Sequence, residues 1–241
     1  MVLVLASIGS AQEKKDNSGT NPVNFTYDFR MWMEFDMLQG DNSITKQAFE
    51  YRAPVSKKVA ARIRGYKIDL SLGSGATTTG FGDMDARLIW VPKASQKGAL
   101  AFGLEVTFNT ATHPSIGSGK TTFGPQVFLV FFQPFGIKGA ILAPAYQYVF
   151  VVAGDDSRSD ISRSGFDLFF VWLAADKKHW ATINPTIVID HENDKEFGLF
   201  EVEGGQMMFG PTSSYIRPGV GIGSDRPHDW NIEFGFKVIW K

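Results

Sequence analysis

The chain has 241 residues, 44% of them hydrophobic, and 24 basic against 25 acidic side chains leave a net charge of −1. That balance excludes the basic excess of a nucleic-acid binder, and the apolar content excludes wholesale disorder. No cysteine is present, which rules out disulfides, thiol nucleophiles and cysteine–zinc clusters.

In chain order, residues 2–8 form a short apolar run, followed by Gly9-Ser10-Ala11 and a sudden polar stretch. This resembles a signal peptide over residues 1–11 that lacks its basic start, with Ala11 as the last residue removed; the alternative is a frayed N-terminus. Residues 12–23 show no periodicity and read as a flexible lead-in to a single domain over 24–241.

From Phe25 to Met37 apolar residues occupy every odd position, while Asp28, Arg30, Glu34 and Asp36 fall on the even ones. Strict alternation is the signature of a strand with one face in an apolar medium and one in a polar medium. The pattern returns around Phe49–Val55 and Val59–Ile63, and parity flips to Tyr66, Ile68 and Leu70 near Gly65, as at a β-bulge. It continues through Met84–Trp90 and Leu100–Phe108, through residues 122–132 (apolar on both faces), and through Tyr146–Val152 and Phe166–Trp172. Ile183–Ile189, Phe200–Val202, Ile216–Ile222 and Trp230–Trp240 complete the set. Twelve strands are therefore expected. A chain enriched in glycine (25 residues, against roughly 17 at an average usage of about 7%) and in phenylalanine (21) suits strands better than helices.

No segment reads as a membrane-crossing helix, which needs about 20 apolar residues. The least charged stretch, 121–154, is broken by Pro125, Pro134 and Pro144. Only helical membrane proteins are excluded by this. A soluble sandwich or lipocalin-like barrel is the alternative, but a lipocalin has eight strands and tapers its interior with small residues. Large aromatics on nearly every strand fit a face that meets lipid. Connections near 54–58, 92–98, 133–136, 175–178 and 209–213 read as short periplasmic turns. Those near 39–43, 73–80, 111–121, 154–160, 191–195 and 224–229 read as outer loops, with both chain ends periplasmic. The expected fold is all-β: a single antiparallel transmembrane β-barrel. Trp32, Trp90, Trp172, Trp180, Trp230 and Trp240 are candidates for aromatic girdles.

Gly80-Phe81-Gly82-Asp83-Met84-Asp85-Ala86-Arg87 resembles a strand start common in outer-membrane barrels. Residues 104–125, with Gly117-Ser118-Gly119 before Gly124-Pro125, are similar to the glycine-rich region of the barrel family named for the MetA pathway of phenol degradation. This chain carries Ala111-Thr112-His113-Pro114 where that family has Pro-Thr-Gly. The resemblance implies passage of hydrophobic or aromatic compounds. A terminal aromatic strand of the kind read by the barrel-assembly machinery ends here in Trp240, one residue before the last.

Other constellations carry less. Gly117-Ser118-Gly119-Lys120-Thr121 imitates a phosphate-binding loop, but Pro114 stands where its first glycine belongs and no helix follows. His113-Pro114-Ser115 is similar to the His-x-Ser pair of outer-membrane phospholipases, yet Ile116 and Gly117 replace the asparagine and arginine that follow there. No histidine pair has metal-ligand spacing, and neither a metal nor a cofactor is expected.

The function expected is passage of a small molecule across the outer membrane of a Gram-negative cell. A structural or adhesive barrel is the alternative, and a lipid-modifying enzyme a third. The partners expected are outer-membrane lipid and a small-molecule solute, not nucleic acid. The lumen-lining candidates are Asp28, Arg30, Glu34, Arg62, Arg64, Asp83, Asp85, Arg87, Glu105, Glu201, Glu203, Arg217, Glu233 and Lys237.

Overall fold

A computed structural model describes residues 23–240. The signal-peptide expectation for 1–11, and all of the lead-in but its last residue, lie outside the described residues. Thirteen strand segments follow one another: β1 (Tyr27–Met37), β2 (Ser43–Ser56), β3 (Val59–Ser71), β4 (Thr77–Phe81), β5 (Met84–Ala94), β6 (Gly98–Phe108), β7 (Lys120–Phe132), β8 (Ala140–Gly154), β9 (Ser162–Leu173), β10 (His179–Asp190), β11 (Lys195–Met207), β12 (Thr212–Ile222) and β13 (Trp230–Trp240). Among the described residues the only helical pieces are two short 3₁₀ turns, Pro114–Ile116 and Pro134–Gly136.

Every neighbouring pair is antiparallel, and β1 pairs with β13 from Tyr27↔Trp240 to Met37↔Trp230, which closes the sheet. β4 and β5 both lie along β3 and form one stave interrupted at Gly82-Asp83, so the thirteen segments build a closed barrel of twelve staves. Closure leaves no sheet edge along the continuous staves, the condition for strands to cross a bilayer; the short β4 segment pairs with β3 alone. No helix is long and apolar enough to do so.

The distribution of side chains is inverted relative to a soluble protein. Met31, Met33, Leu88, Ile187, Phe234 and Phe236 are at least half exposed on the outer wall. Asp28, Glu50, Glu203, Asn231 and Lys237 are among the most deeply buried side chains. Contiguous apolar surface on this scale belongs against lipid. At the end where the chain begins, Tyr27 stacks on Trp240 at 6.4 Å and Trp90 on Phe102 at 5.8 Å. At the opposite end Phe35 packs on Trp230 at 5.5 Å. These are the two aromatic belts of a membrane barrel.

Four details correct the sequence expectations. Phe25 precedes β1 and lines a small internal cavity with Asn24 and Thr26 instead of facing lipid. The parity flip at Gly65 does not occur: β2 and β3 stay in register through Phe49↔Gly65 and Ala48↔Tyr66. Tyr66 and Ile68 therefore share the lumen face with Arg64, where the Tyr66 hydroxyl takes a hydrogen bond from Arg64 at 3.0 Å. On the lipid face the Phe49 ring covers Gly65, and a methyl there would overlap it. Trp32 and Trp180 also point inward and join no belt; Trp180 is fully buried. Finally, the fourth stave begins at Thr77, well before Asp83.

Candidate functional site

The lumen contains a cavity of about 820 Å³. Its walls differ. The staves from β11 through β13 and on from β1 to β5 supply its charged groups, while Phe169 on β9 and Asn184 on β10 face it from the other side. Thr122, Gly124, Gln126 and Phe128 share the lumen face of β7, so the region that looked apolar on both faces carries uncharged polar groups inward.

On the charged side Glu50 is a hub. It receives Arg64 at 2.7 Å, Arg52 at 2.8 Å, Arg30 at 3.5 Å and Arg62 at 3.7 Å. Arg30 also meets Asp28 at 2.8 Å. Arg62 bridges Asp85 and Glu105, and Arg87 reaches Glu105 at 2.5 Å. Across the β1–β13 closure Glu203 accepts from Trp180 Nε1 at 2.6 Å and from Arg217, with Lys237 Nζ at 3.4 Å. Arg217 also reaches Glu233 at 3.4 Å, and Asn231 donates to Glu201 at 3.1 Å. Lys237 sits 4.5 Å from the Tyr215 ring and 5.1 Å from the Trp180 ring, a cation–π arrangement. Glycines make this possible: the Tyr215 ring lies over Gly235 and the Trp180 ring over Gly205, where a side chain would collide.

Glu34 meets Lys46 at 3.2 Å, and Lys46 meets Asp36 at 2.7 Å. Lys46, Glu50, Arg52, Tyr66 and Tyr215 are lumen groups absent from the sequence-based set. Glu50 and Arg52 alternate with Phe49 and Tyr51, so the same parity rule identifies them. Lys46 lies before the stretch where alternation is visible.

Asp83 differs from the other candidates. Its carboxylate accepts from the Thr110 and Ala111 amides at 3.0 Å each, and from the Ser118 amide and hydroxyl at 2.7 and 2.8 Å. It therefore holds the loop 109–119, whose Ser115 to Ser118 portion lines the cavity. Arg158 braces the same loop through the Pro114 carbonyl at 2.7 Å. Gly119 turns there with φ +72° and Arg158 against it, a position closed to other residues. The phosphate-loop resemblance dissolves: Lys120 is buried and paired with Asp160 at 2.7 Å. His113 Nδ1 lies 2.9 Å from the Ser115 hydroxyl, but it also accepts from the Ser115 amide as the cap of a 3₁₀ turn in the loop, away from the lipid wall. Above Lys46 and Glu34, His228 is buried in loop 223–229; burial and the Lys46 charge push its imidazole below the usual histidine range.

No protein-family model matches the sequence, and no curated protein matches it. Solved structures do. The COG4313 outer membrane channel from Pseudomonas putida F1 is 10% identical, with a TM-score of 0.70 over 90% of this chain and 96% of that one. The NanC porin is 14% identical, with a TM-score of 0.60 over 89% of this chain and 99% of that one. The KdgM porin, solved in complex with disordered oligogalacturonate, is 10% identical, with a TM-score of 0.55 over 90% and 99%. The shared property is the barrel fold.

Proposed function

We propose that the chain is an outer-membrane channel for small organic solutes. The observation that carries this is the chamber of about 820 Å³ inside a closed barrel whose outer wall is apolar. A barrel kept only for structure has no need of a chamber partly roofed by a latched loop. Trp32, Tyr66, Phe169 and Tyr215 line the chamber and offer aromatic faces to an apolar solute, in keeping with the hydrophobic or aromatic compounds that the glycine motifs imply. The similarity to channel and porin barrels supports the same reading. In this reading β13 is the strand presented to the barrel-assembly machinery, and lipid covers the outer wall.

The structural-barrel alternative draws on the Arg62–Asp85–Glu105 cluster, which lies between the chamber and a smaller cavity of about 100 Å³ beside Asn24 and Phe25. Salt-bridged groups can plug a lumen as well as line it. Planar-bilayer recording of the refolded full chain separates the two. Discrete conductance steps are expected; a bilayer that stays silent with correctly folded protein overturns the channel reading.

A further inference from the structure

The charges of the chamber are layered. In most of its ion pairs the carboxylate is the more buried member and the cation the one a solute meets; the exceptions are Arg62, at 5% beneath Asp85 at 8% and Glu105 at 18%, and the Lys237–Glu203 pair, in which both are buried. Arg52 keeps 32% of its side chain exposed over Glu50 at 2%. Lys46 keeps 27% over Asp36 at 3%, and Arg217 27% over Glu203 at 2%. Arg64 keeps 24% above the same Glu50. Glu34 is less exposed than its partner Lys46, and Glu105 less exposed than Arg87 though more than Arg62. Seven cations and five carboxylates line the chamber, and the layering makes its surface more cationic than that count.

Depth decides which sign acts. A buried carboxylate is screened from the solute by the cation in front of it, while the guanidinium faces the chamber directly. Guanidinium is weakly hydrated and presents a planar fork of donors matched to a carboxylate. Arg52 Nε lies 2.8 Å from Glu50 Oε1, and among the described residues neither terminal nitrogen of Arg52 donates a hydrogen bond. Charged rings set ion preference in pores. Opposite the cations stands Phe169, an aromatic face for the apolar part of a solute.

Resting on the channel reading, we infer that the chamber selects small organic anions, with a carboxylate held over Arg52 and Arg64 where they meet at Glu50, Lys46 adding positive charge further along β2, and an apolar or aromatic body against the facing wall. The test uses the full refolded chain in planar bilayers under a KCl gradient, with benzoate and benzylammonium as probes, and benzoate titration of detergent-solubilised protein followed by tryptophan fluorescence. Trp32 reports there, because Arg64 lies 5.4 Å over its ring. The expected results are a reversal potential on the chloride side, reduction of chloride current by benzoate but not by benzylammonium, and saturable quenching by benzoate. Arg52→Gln together with Lys46→Gln should lower the chloride preference severalfold and weaken benzoate binding. Arg52→Lys, which keeps the charge, should retain the preference and lose part of the affinity. A conducting wild type that prefers potassium, or responds alike to both probes, overturns the inference and leaves the channel standing. A silent bilayer with intact, Arg52-dependent benzoate binding removes the channel and keeps the anion site. Absence of benzoate binding in a silent barrel removes both.

Discussion

At the scale of single residues, Glu203 shows what burial does to charge. Trp180, Arg217 and Lys237 all converge on its carboxylate, and both Glu203 and Lys237 are almost wholly buried. Removing one member of a buried pair leaves the other uncompensated, at a cost of about 3–5 kcal/mol. Glu203→Ala should therefore destabilise the barrel by about that much in urea unfolding of the detergent-solubilised protein. Glu203→Gln, which keeps an acceptor for Trp180, should cost less. His228 provides a pH test. Its folded-state pKa lies below the ordinary histidine value, through burial first and Lys46 second. Its Nε2 is buried with no hydrogen-bond partner among the described residues. Above the ordinary histidine pKa both folded and unfolded states are neutral there, and nothing is lost. As pH falls through that value the unfolded chain takes up the proton first, and stability drops. Melting between pH 8 and 5 should show a steeper acid loss for the wild type than for His228→Gln; identical slopes would remove His228 as the cause.

At the scale of elements, the interrupted fourth stave and the loop it holds form one device. Alternation placed Asp83 in a charged ring beside Asp85. Asp83 does line the chamber, and the backbone break at Gly82 gives its carboxylate to the amides of loop 109–119. Asp83→Ala leaves those amides without their acceptor, so the loop should swing free of the chamber. Larger single-channel conductance with more frequent flicker is expected, and traces unchanged from wild type would show that the loop does not narrow the path. On the lipid side β13 offers a depth gauge. Phe234 lies mid-strand and is half exposed, whereas Phe209 lies in the turn between β11 and β12. An arginine near the bilayer midplane of a barrel costs about 2–4 kcal/mol and near the interface about 0–1 kcal/mol. Phe234→Arg should thus lower folding stability in lipid vesicles far more than Phe209→Arg. Equal costs would contradict the assigned depth.

At the scale of the whole molecule, closure links everything else. The eleven-residue pairing of β1 with β13 brings Asp28 and Arg30 next to Ile239 and Lys237. It also sets the Arg30–Glu50 cluster beside the Glu203–Arg217 cluster in one lumen. Neither end of the chain could supply that wall alone. The twelve-stave barrel with its apolar exterior was legible in the amino-acid sequence, because strand faces repeat every two residues and lipid and lumen make opposite demands on them. Most loop and turn positions followed, since glycine, proline and small polar residues punctuate that alternation; the loop expected over 73–80 is shorter, because β4 starts at Thr77. What parity could not decide was depth and partnership. It assigned Arg52 and Glu50 to the same face without indicating that one lies over the other. Position near a strand end made Trp180 a girdle candidate, whereas a glycine on the neighbouring strand lets the ring fold inward, and parity read a bulge at Gly65 where Phe49 simply fills the missing side chain. Those outcomes depend on which residues of distant strands become neighbours on closing the barrel, and cross-strand register is a property of the tertiary structure alone.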